Sequence, residues 1–157
     1  MELNWENIVI DFTEIDNNEI IKNWIWLIGE DKSPIMISCI GDMFLEGTGG
    51  KVYWLNVGDG TIEEVANSKE EFLSKMNESE ISANWFMFGL VSEIYDSGLT
   101  PKPGKLFSYK VPPVVGGEYV PDNFEIKDII EHFDFSGDLH KKIKDLPEGT
   151  PITILDE

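Results

Sequence analysis

The fold is decided by residues 34–65, PIMISCIGDMFLEGTGGKVYWLNVGDGTIEEV, where short apolar runs alternate with connections that contain glycine. Runs rich in Ile, Val, Phe and Trp that are bounded by tight turns are typical of antiparallel strands. Asp59-Gly60 is a strong hairpin signal. The segment therefore predicts a meander of about four strands. The predicted strands are residues 35–40, 43–46, 51–57 and 61–65.

The strand over residues 51–57 should be interior, because Val52 and Trp54 point to one face and Leu55 and Val57 to the other. Strands with two apolar faces are covered on both sides. Two further strands, over residues 106–111 and 150–155, are expected to extend this sheet.

Helical periodicity surrounds the meander on both sides. Predicted helices cover residues 20–27, 68–76, 78–96, 126–133 and 136–146, the last begun by a Ser136 cap, whereas residues 5–12 fit helix and strand equally well. Residues 112–117, with two prolines and two glycines, predict an ordered loop. The chain is therefore expected to form one α+β domain over residues 1–157, with a largely antiparallel central sheet and packed helices.

Charge restricts the partners of this chain. Its 157 residues include 30 Asp and Glu against 12 Lys and no Arg, a formal net charge of −18. Such a field repels nucleic acids and anionic membranes and attracts basic proteins. We expect a basic protein partner, no nucleic acid and no membrane.

Cys39 is the only cysteine, which excludes an intramolecular disulfide. The N-terminal residues lack a basic signal-peptide region, and no apolar run approaches the roughly 20 residues that span a bilayer. These features predict a cytoplasmic protein.

Candidates for catalysis or metal binding are weak. His132 and His140 lie eight residues apart without a zinc-type ligand spacing, and Cys39 lies in an apolar strand without a group that would lower its pKa. Residues 47–50 lack the lysine and the helix start of a phosphate-binding loop. We expect no metal, no cofactor and no catalytic residue, so an enzyme is the less favoured reading.

Acidic residues are unevenly distributed. Seven of them fall between Asp59 and Glu80, against Lys69 and Lys75. They are Asp59, Glu63, Glu64, Glu70, Glu71, Glu78 and Glu80. A solvated surface explains any adjacent pair, but clustered like charge repels itself, and a basic partner relieves that repulsion. This stretch is the predicted partner-binding face.

A family resemblance is carried by several segments of the chain. They are residues 23–27 (NWIWL), 40–45 (IGDMFL), 50–55 (GKVYWL), 65–68 (VANS) with Phe72, 112–119 (PPVVGGEY), and 139–140 (LH) with 144–150 (KDLPEGT). In these segments the chain resembles the C-terminal domain of bacterial type VI secretion immunity proteins, a family that includes domains of unknown function. The resemblance implies a non-enzymatic protein that neutralises a cognate DNase effector in the producing cell.

The leading hypothesis is therefore an immunity protein that neutralises a basic, nuclease-type toxin through its acidic face. A small intracellular enzyme or ligand-binding domain, with a pocket near Asp42, His132 and His140, is the alternative. A structural adaptor subunit is a third reading, which predicts a contiguous apolar patch on the surface.

Overall fold

The computed structural model of the protein describes residues 2–147 and 149–152. Its main sheet has five strands, each antiparallel to the next in chain order. The strands are β1 (Val9–Ile10), β2 (Lys32–Ser38), β3 (Met43–Gly47), β4 (Val52–Asn56) and β5 (Thr61–Ala66). The predicted α+β class and the antiparallel meander are confirmed.

Strand β4 is interior, as its two apolar faces predicted. It pairs with β3 on one side, where Trp54 lies opposite Phe44, and with β5 on the other, where Trp54 lies opposite Glu63. The hairpin between β4 and β5 turns at Gly60, whose φ of 71° suits glycine.

The N-terminal segment contains both structures that its pattern allowed. Helix α1 (Trp5–Ile8) is capped by Asn4 and leads directly into β1. The helix predicted over residues 20–27 is present as α2 (Asn17–Ile21), a 3-10 turn (Lys22–Trp24) and α3 (Ile25–Ile28).

One long helix was expected over residues 78–96, but this expectation is wrong. After α4 (Lys69–Met76), the chain forms α5 (Ser79–Phe86) and α6 (Phe88–Asp96), separated by Met87 at φ 50°. Side chains two residues apart diverge on a continuous helix. The break allows the rings of Phe86 and Phe88 to stack at 6.0 Å and both to contact Trp5.

The strand expected to extend the main sheet at residues 106–111 also lies elsewhere. It is β6 (Lys105–Tyr109), which pairs with β7 (Phe124–Asp128) in a separate two-stranded sheet. Ile126, assigned to a helix by its spacing, belongs to β7. The loop between these strands contains 3-10 turns at Pro113–Val115 and Pro121–Asn123.

Helix α7 (Ile129–Ile143) replaces the two helices expected over residues 126–146. Ser136 lies inside it and donates to the carbonyl of His132 at 2.7 Å, one turn back, so it does not begin a helix. The strand expected over residues 150–155 lies partly outside the described residues, and residues 150–152 form no strand.

The core is a single cluster of buried apolar side chains between the main sheet and the helices. At its centre, Phe44 contacts Phe72, Trp85 and Phe86, with ring centroids 4.8–5.7 Å apart. Trp54 and Trp85 are both buried, as expected. Within the described part of the chain, no helix combines the length and apolar character needed to cross a membrane.

Candidate functional site: an acidic surface and a buried carboxyl

The seven acidic residues predicted to bind a partner lie on the β4–β5 turn and on the three elements that follow it. Asp59 is in the hairpin, Glu63 and Glu64 are on β5, Glu70 and Glu71 are in the first turn of α4, and Glu78 and Glu80 are at the start of α5. Helix α4 packs against both β5 and α5, so the three elements are neighbours. Carboxylates near helix starts are also favoured by the helix dipole.

Not all of these carboxylates point in one direction. Glu63 lies opposite Trp54 on β4, whereas Glu64 lies opposite Tyr53. Because successive side chains of a strand alternate between its faces, Glu63 and Glu64 project to opposite sides of β5. The structure therefore divides the predicted face between the two sides of this strand.

Ion pairs neutralise part of the set. Glu64 lies 3.1 Å from Lys51, and Glu71 lies 3.3 Å from Lys75, which lowers the pKa of the Glu71 carboxyl. Among the residues that the structure describes, Glu63, Glu70, Glu78 and Glu80 have no lysine within ion-pair distance. All four are exposed, so they carry most of the uncompensated charge here.

The three residues of the alternative pocket, Asp42, His132 and His140, are also brought together. They surround two turns, at residues 39–42 and 57–60, and each contacts a backbone group there. Hydrogen bonds to the two turns give His132 and His140 a structural role, whereas Asp42 has different chemistry.

His132 is fully hydrogen-bonded inside the protein. Its Nε2 donates to the carbonyl of Gly41 at 2.8 Å, and its Nδ1 accepts from the Ser108 hydroxyl at 2.7 Å. Burial lowers the pKa of His132 to about 4, so the ring is neutral near pH 7. A Cβ on Gly41 would lie 2.2 Å from the ring, which explains the glycine at that turn.

His140 binds the backbone of the second turn, at residues 57–60, in the same way. Its Nε2 donates to the carbonyl of Val57 at 2.9 Å, and the ring lies against Gly60, where a Cβ would approach Nδ1 to 2.3 Å. Burial lowers the pKa of His140 as well. Helix α7 thus holds both turns through neutral imidazoles.

Asp42 is different because no cationic side chain among the described residues offsets its charge. Its Oδ1 accepts from the Val57 amide at 2.9 Å, and its own amide donates to the Ser38 hydroxyl at 3.1 Å. Burial raises the pKa of Asp42 to about 7, against the opposing effect of the Val57 amide. The Asp42 carboxyl lines a cavity of about 460 Å³, which neither histidine reaches.

Metal and thiol chemistry find little support in the donor geometry. No group of three or more His, Cys, Asp or Glu side chains converges within residues 2–147 and 149–152 in a way that could hold a metal ion. Cys39 is buried, which raises the pKa of its thiol to about 12. A thiol with such a pKa is a poor nucleophile at neutral pH.

Sequence reasoning missed the other side chains of the Asp42 cavity, chiefly Trp54, Met87, Tyr109 and Tyr119. Trp54 was expected only as a core residue, and Tyr119 only as part of a family motif. Their convergence depends on β6, which was expected to join the main sheet, and on the loop after it. Methionine as a residue type does not indicate the left-handed backbone conformation that Met87 adopts.

Comparison with known proteins identifies one family. Residues 66–140, from the end of β5 into α7, match the family model described as "T6SS immunity protein Tdi1, C-terminal". The resemblance to the type VI secretion immunity family is thereby confirmed over this part of the chain. A search of curated proteins found no significant match.

A solved structure described as "Crystal structure of Atu4351 from Agrobacterium tumefaciens" has a similar fold. The two superpose with a TM-score of 0.58 at 13% sequence identity, and the alignment covers 78% of this chain and 64% of that chain. Identity this low supports the likeness of the folds alone. The present chain thus spans less than two thirds of its structural relative.

Proposed function

We propose that this protein is an immunity protein that neutralises a basic, nuclease-type toxin in the cytoplasm. The premise is that residues 66–140 match the C-terminal family of type VI secretion immunity proteins. The family match is the observation that carries the proposal. It brings the expectation of a toxin partner, while the charge of the chain indicates which kind of toxin.

A nuclease must bind a phosphate backbone, and the surface that does so is rich in Lys and Arg. A protein of net charge −18 is complementary to such a surface and is steered towards it over long distances. The exposed, unpaired acids on β5, α4 and α5 supply this field near residues of the matched family domain. Bound across the phosphate site, they would exclude the nucleic acid.

An apolar anchor lies within the same surface. Leu73 on α4 is 49% exposed, one turn after Glu70. Interfaces draw most of their affinity from a few buried apolar contacts, while surrounding charges set the association rate. The acidic surface is therefore suited to a complex that forms quickly and dissociates slowly.

The test is binding of the toxin encoded beside this protein, measured by surface plasmon resonance at several salt concentrations. The face variant reverses the four unpaired acids to lysine: Glu63→Lys, Glu70→Lys, Glu78→Lys and Glu80→Lys. The control variant makes the same net charge change at exposed acids elsewhere: Glu14→Lys, Glu30→Lys, Asp122→Lys and Glu131→Lys.

We expect the face variant to associate more slowly by about tenfold or more at low salt and to lose most of its salt dependence, with a smaller change for the control. Equal slowing in both variants would show that net charge acts without a specific face. Absence of binding by the unmodified protein, together with failure to protect cells that express the toxin, would refute the immunity function.

A further inference from the structure

The cavity beside Asp42 is a formed site that the structural roles above do not use. Its floor is Asp42 and Trp54, and its walls come from Met87 and Phe88 at the α5–α6 break and from Tyr109 and Tyr119. No lysine lines it. At about 460 Å³ it has room for one long side chain.

One polar group at the floor lacks a partner of normal geometry among the described residues. The Trp54 side chain is 8% exposed, and its Nε1 is buried without a hydrogen bond. The Asp42 carboxyl accepts from the Val57 amide through one of its oxygens. Buried polar groups left unpaired are uncommon and destabilising, so they indicate a site completed by something else.

The charge around the cavity selects the class of ligand. Asp42 has Asp59 as its acidic neighbour. Burial raises the pKa of the Tyr109 hydroxyl, and the charges of Asp42 and Asp59 raise it further. Four aromatic rings surround the space, and aromatic faces attract cations. An anion would meet the Asp42 carboxyl there, and no cationic side chain among the described lining residues would offset the repulsion.

We propose that this cavity binds one lysine or arginine side chain of the toxin, with Asp42 as its counter-ion and the rings of Trp54, Tyr109 and Tyr119 around its stem. The inference rests on the proposed function for the source of that side chain. It adds a specific, deeply buried contact to the diffuse attraction of the acidic surface.

Entry of the cation changes the protonation of the floor. The proton held by Asp42 leaves to solvent, and the resulting carboxylate forms the ion pair while still accepting from the Val57 amide. The Trp54 indole, which already lies near Asp42 and favours its ionised form, can then donate to the carboxylate. A guanidinium or ammonium in this setting is desolvated and paired, the arrangement in which a buried charge is tolerated.

The neighbouring titratable groups do not change charge over the same range. Tyr109 and Tyr119 have raised pKa values, and His132 and His140 on α7 have lowered ones, so all four stay neutral near pH 7. Asp59, in the hairpin, is the other acidic residue near Asp42. Affinity for a cation should therefore increase as pH rises through 7, because Asp42 ionises in this range.

The first experiment needs no toxin. Nα-acetyl-arginine amide, Nα-acetyl-lysine amide and the neutral Nα-acetyl-citrulline amide are titrated into the ¹⁵N-labelled protein, and the indole N–H resonance of Trp54 is followed by NMR. We expect saturable shifts with at least one cation, about tenfold or more weaker at pH 5.5 than at pH 8, and none with citrulline. No shift of Trp54, or an equal shift with the neutral compound, would overturn the proposal.

The second experiment uses the toxin and two variants on exposed helix positions. Asn84→Lys places a cation at the rim of the cavity, whereas Asn18→Lys adds the same charge on α2, outside both the cavity and the acidic surface. Asp42→Asn removes the counter-ion while keeping an oxygen that can accept from Val57. We expect toxin affinity to fall about tenfold or more in Asn84→Lys and Asp42→Asn and to change by less than about threefold in Asn18→Lys.

These outcomes separate this inference from the immunity function. If the unmodified protein binds the toxin and Asn84→Lys and Asp42→Asn bind it as tightly as Asn18→Lys, the cavity proposal is wrong and the immunity function stands. If the unmodified protein does not bind the toxin, the immunity function fails, and the NMR titration still decides whether the cavity accepts a cationic side chain.

Discussion

Replacing Asp42 by Asn should make the free protein more stable at neutral and alkaline pH. Burial raises the pKa of this carboxyl from 3.8 to about 7. A folded-state pKa above the unfolded value means that stability is fully present below about pH 4 and is lost as pH rises through 7. The shift of roughly three units corresponds to a cost on the order of 4 kcal/mol at pH 8, an upper value because neighbouring groups relax.

His132 has the opposite effect on the pH dependence of folding stability. Its folded-state pKa is lowered from 6.5 to about 4, so its contribution is present above pH 6.5 and is lost as pH falls through 4. The two effects oppose each other between about pH 4 and 6.5. The unmodified protein should therefore show a flatter pH dependence of stability in this range than either group alone would produce.

Urea denaturation at pH 5 and pH 8 tests this reasoning, with pH 5 chosen to stay above the sequence pI of about 4.3. Asp42→Asn should stabilise the protein by about 2–3 kcal/mol more at pH 8 than at pH 5. Asp122→Asn, an exposed substitution with the same change of charge, controls for net charge and should show a small effect at both values. An Asp42→Asn effect that is the same at both pH values would refute a buried, uncompensated carboxyl.

Two further predictions concern packing and turn geometry. Trp85→Ala should lower the free energy of unfolding by about 3–5 kcal/mol in chemical denaturation, because Trp85 is buried against Phe44; a loss below about 1 kcal/mol would contradict its place in the core. Gly60→Ala should cost clearly more than Gly98→Ala in the same assay: both glycines have positive φ, but only at Gly60 does a Cβ meet another residue, the ring of His140. Equal costs at the two glycines would show that the His140 contact is unimportant.

The meander was predictable because its evidence is local. Asp59-Gly60 marks a hairpin, and the apolar pattern around Trp54 marks an interior strand, so neither depends on distant contacts. The strand over residues 105–109 was also recognisable, but its partner was not. That choice depends on β7, where Ile126 fits a helical spacing as well as a strand.

Most side chains of the Asp42 cavity were not predicted, for the same physical reason. The acidic stretch can be recognised from the sequence because its members are close in the chain. The Asp42 cavity combines residues from β4, the α5–α6 break, β6 and the loop after it, and its character follows from burial, which one sequence does not display. Met87 shows this limit most clearly: its left-handed backbone is set by the packing of Phe86 and Phe88 on Trp5.

The position of β5 at the end of the main sheet has a consequence for self-association. An outermost strand offers unpaired backbone groups to any other strand, and charged side chains on it prevent two copies from zippering together. Glu63 and Glu64 place a carboxylate on each side of β5, which opposes pairing with a strand of a second copy. If both were replaced by neutral residues, this edge would lose its charged side chains and would be the place where strand-to-strand aggregation begins.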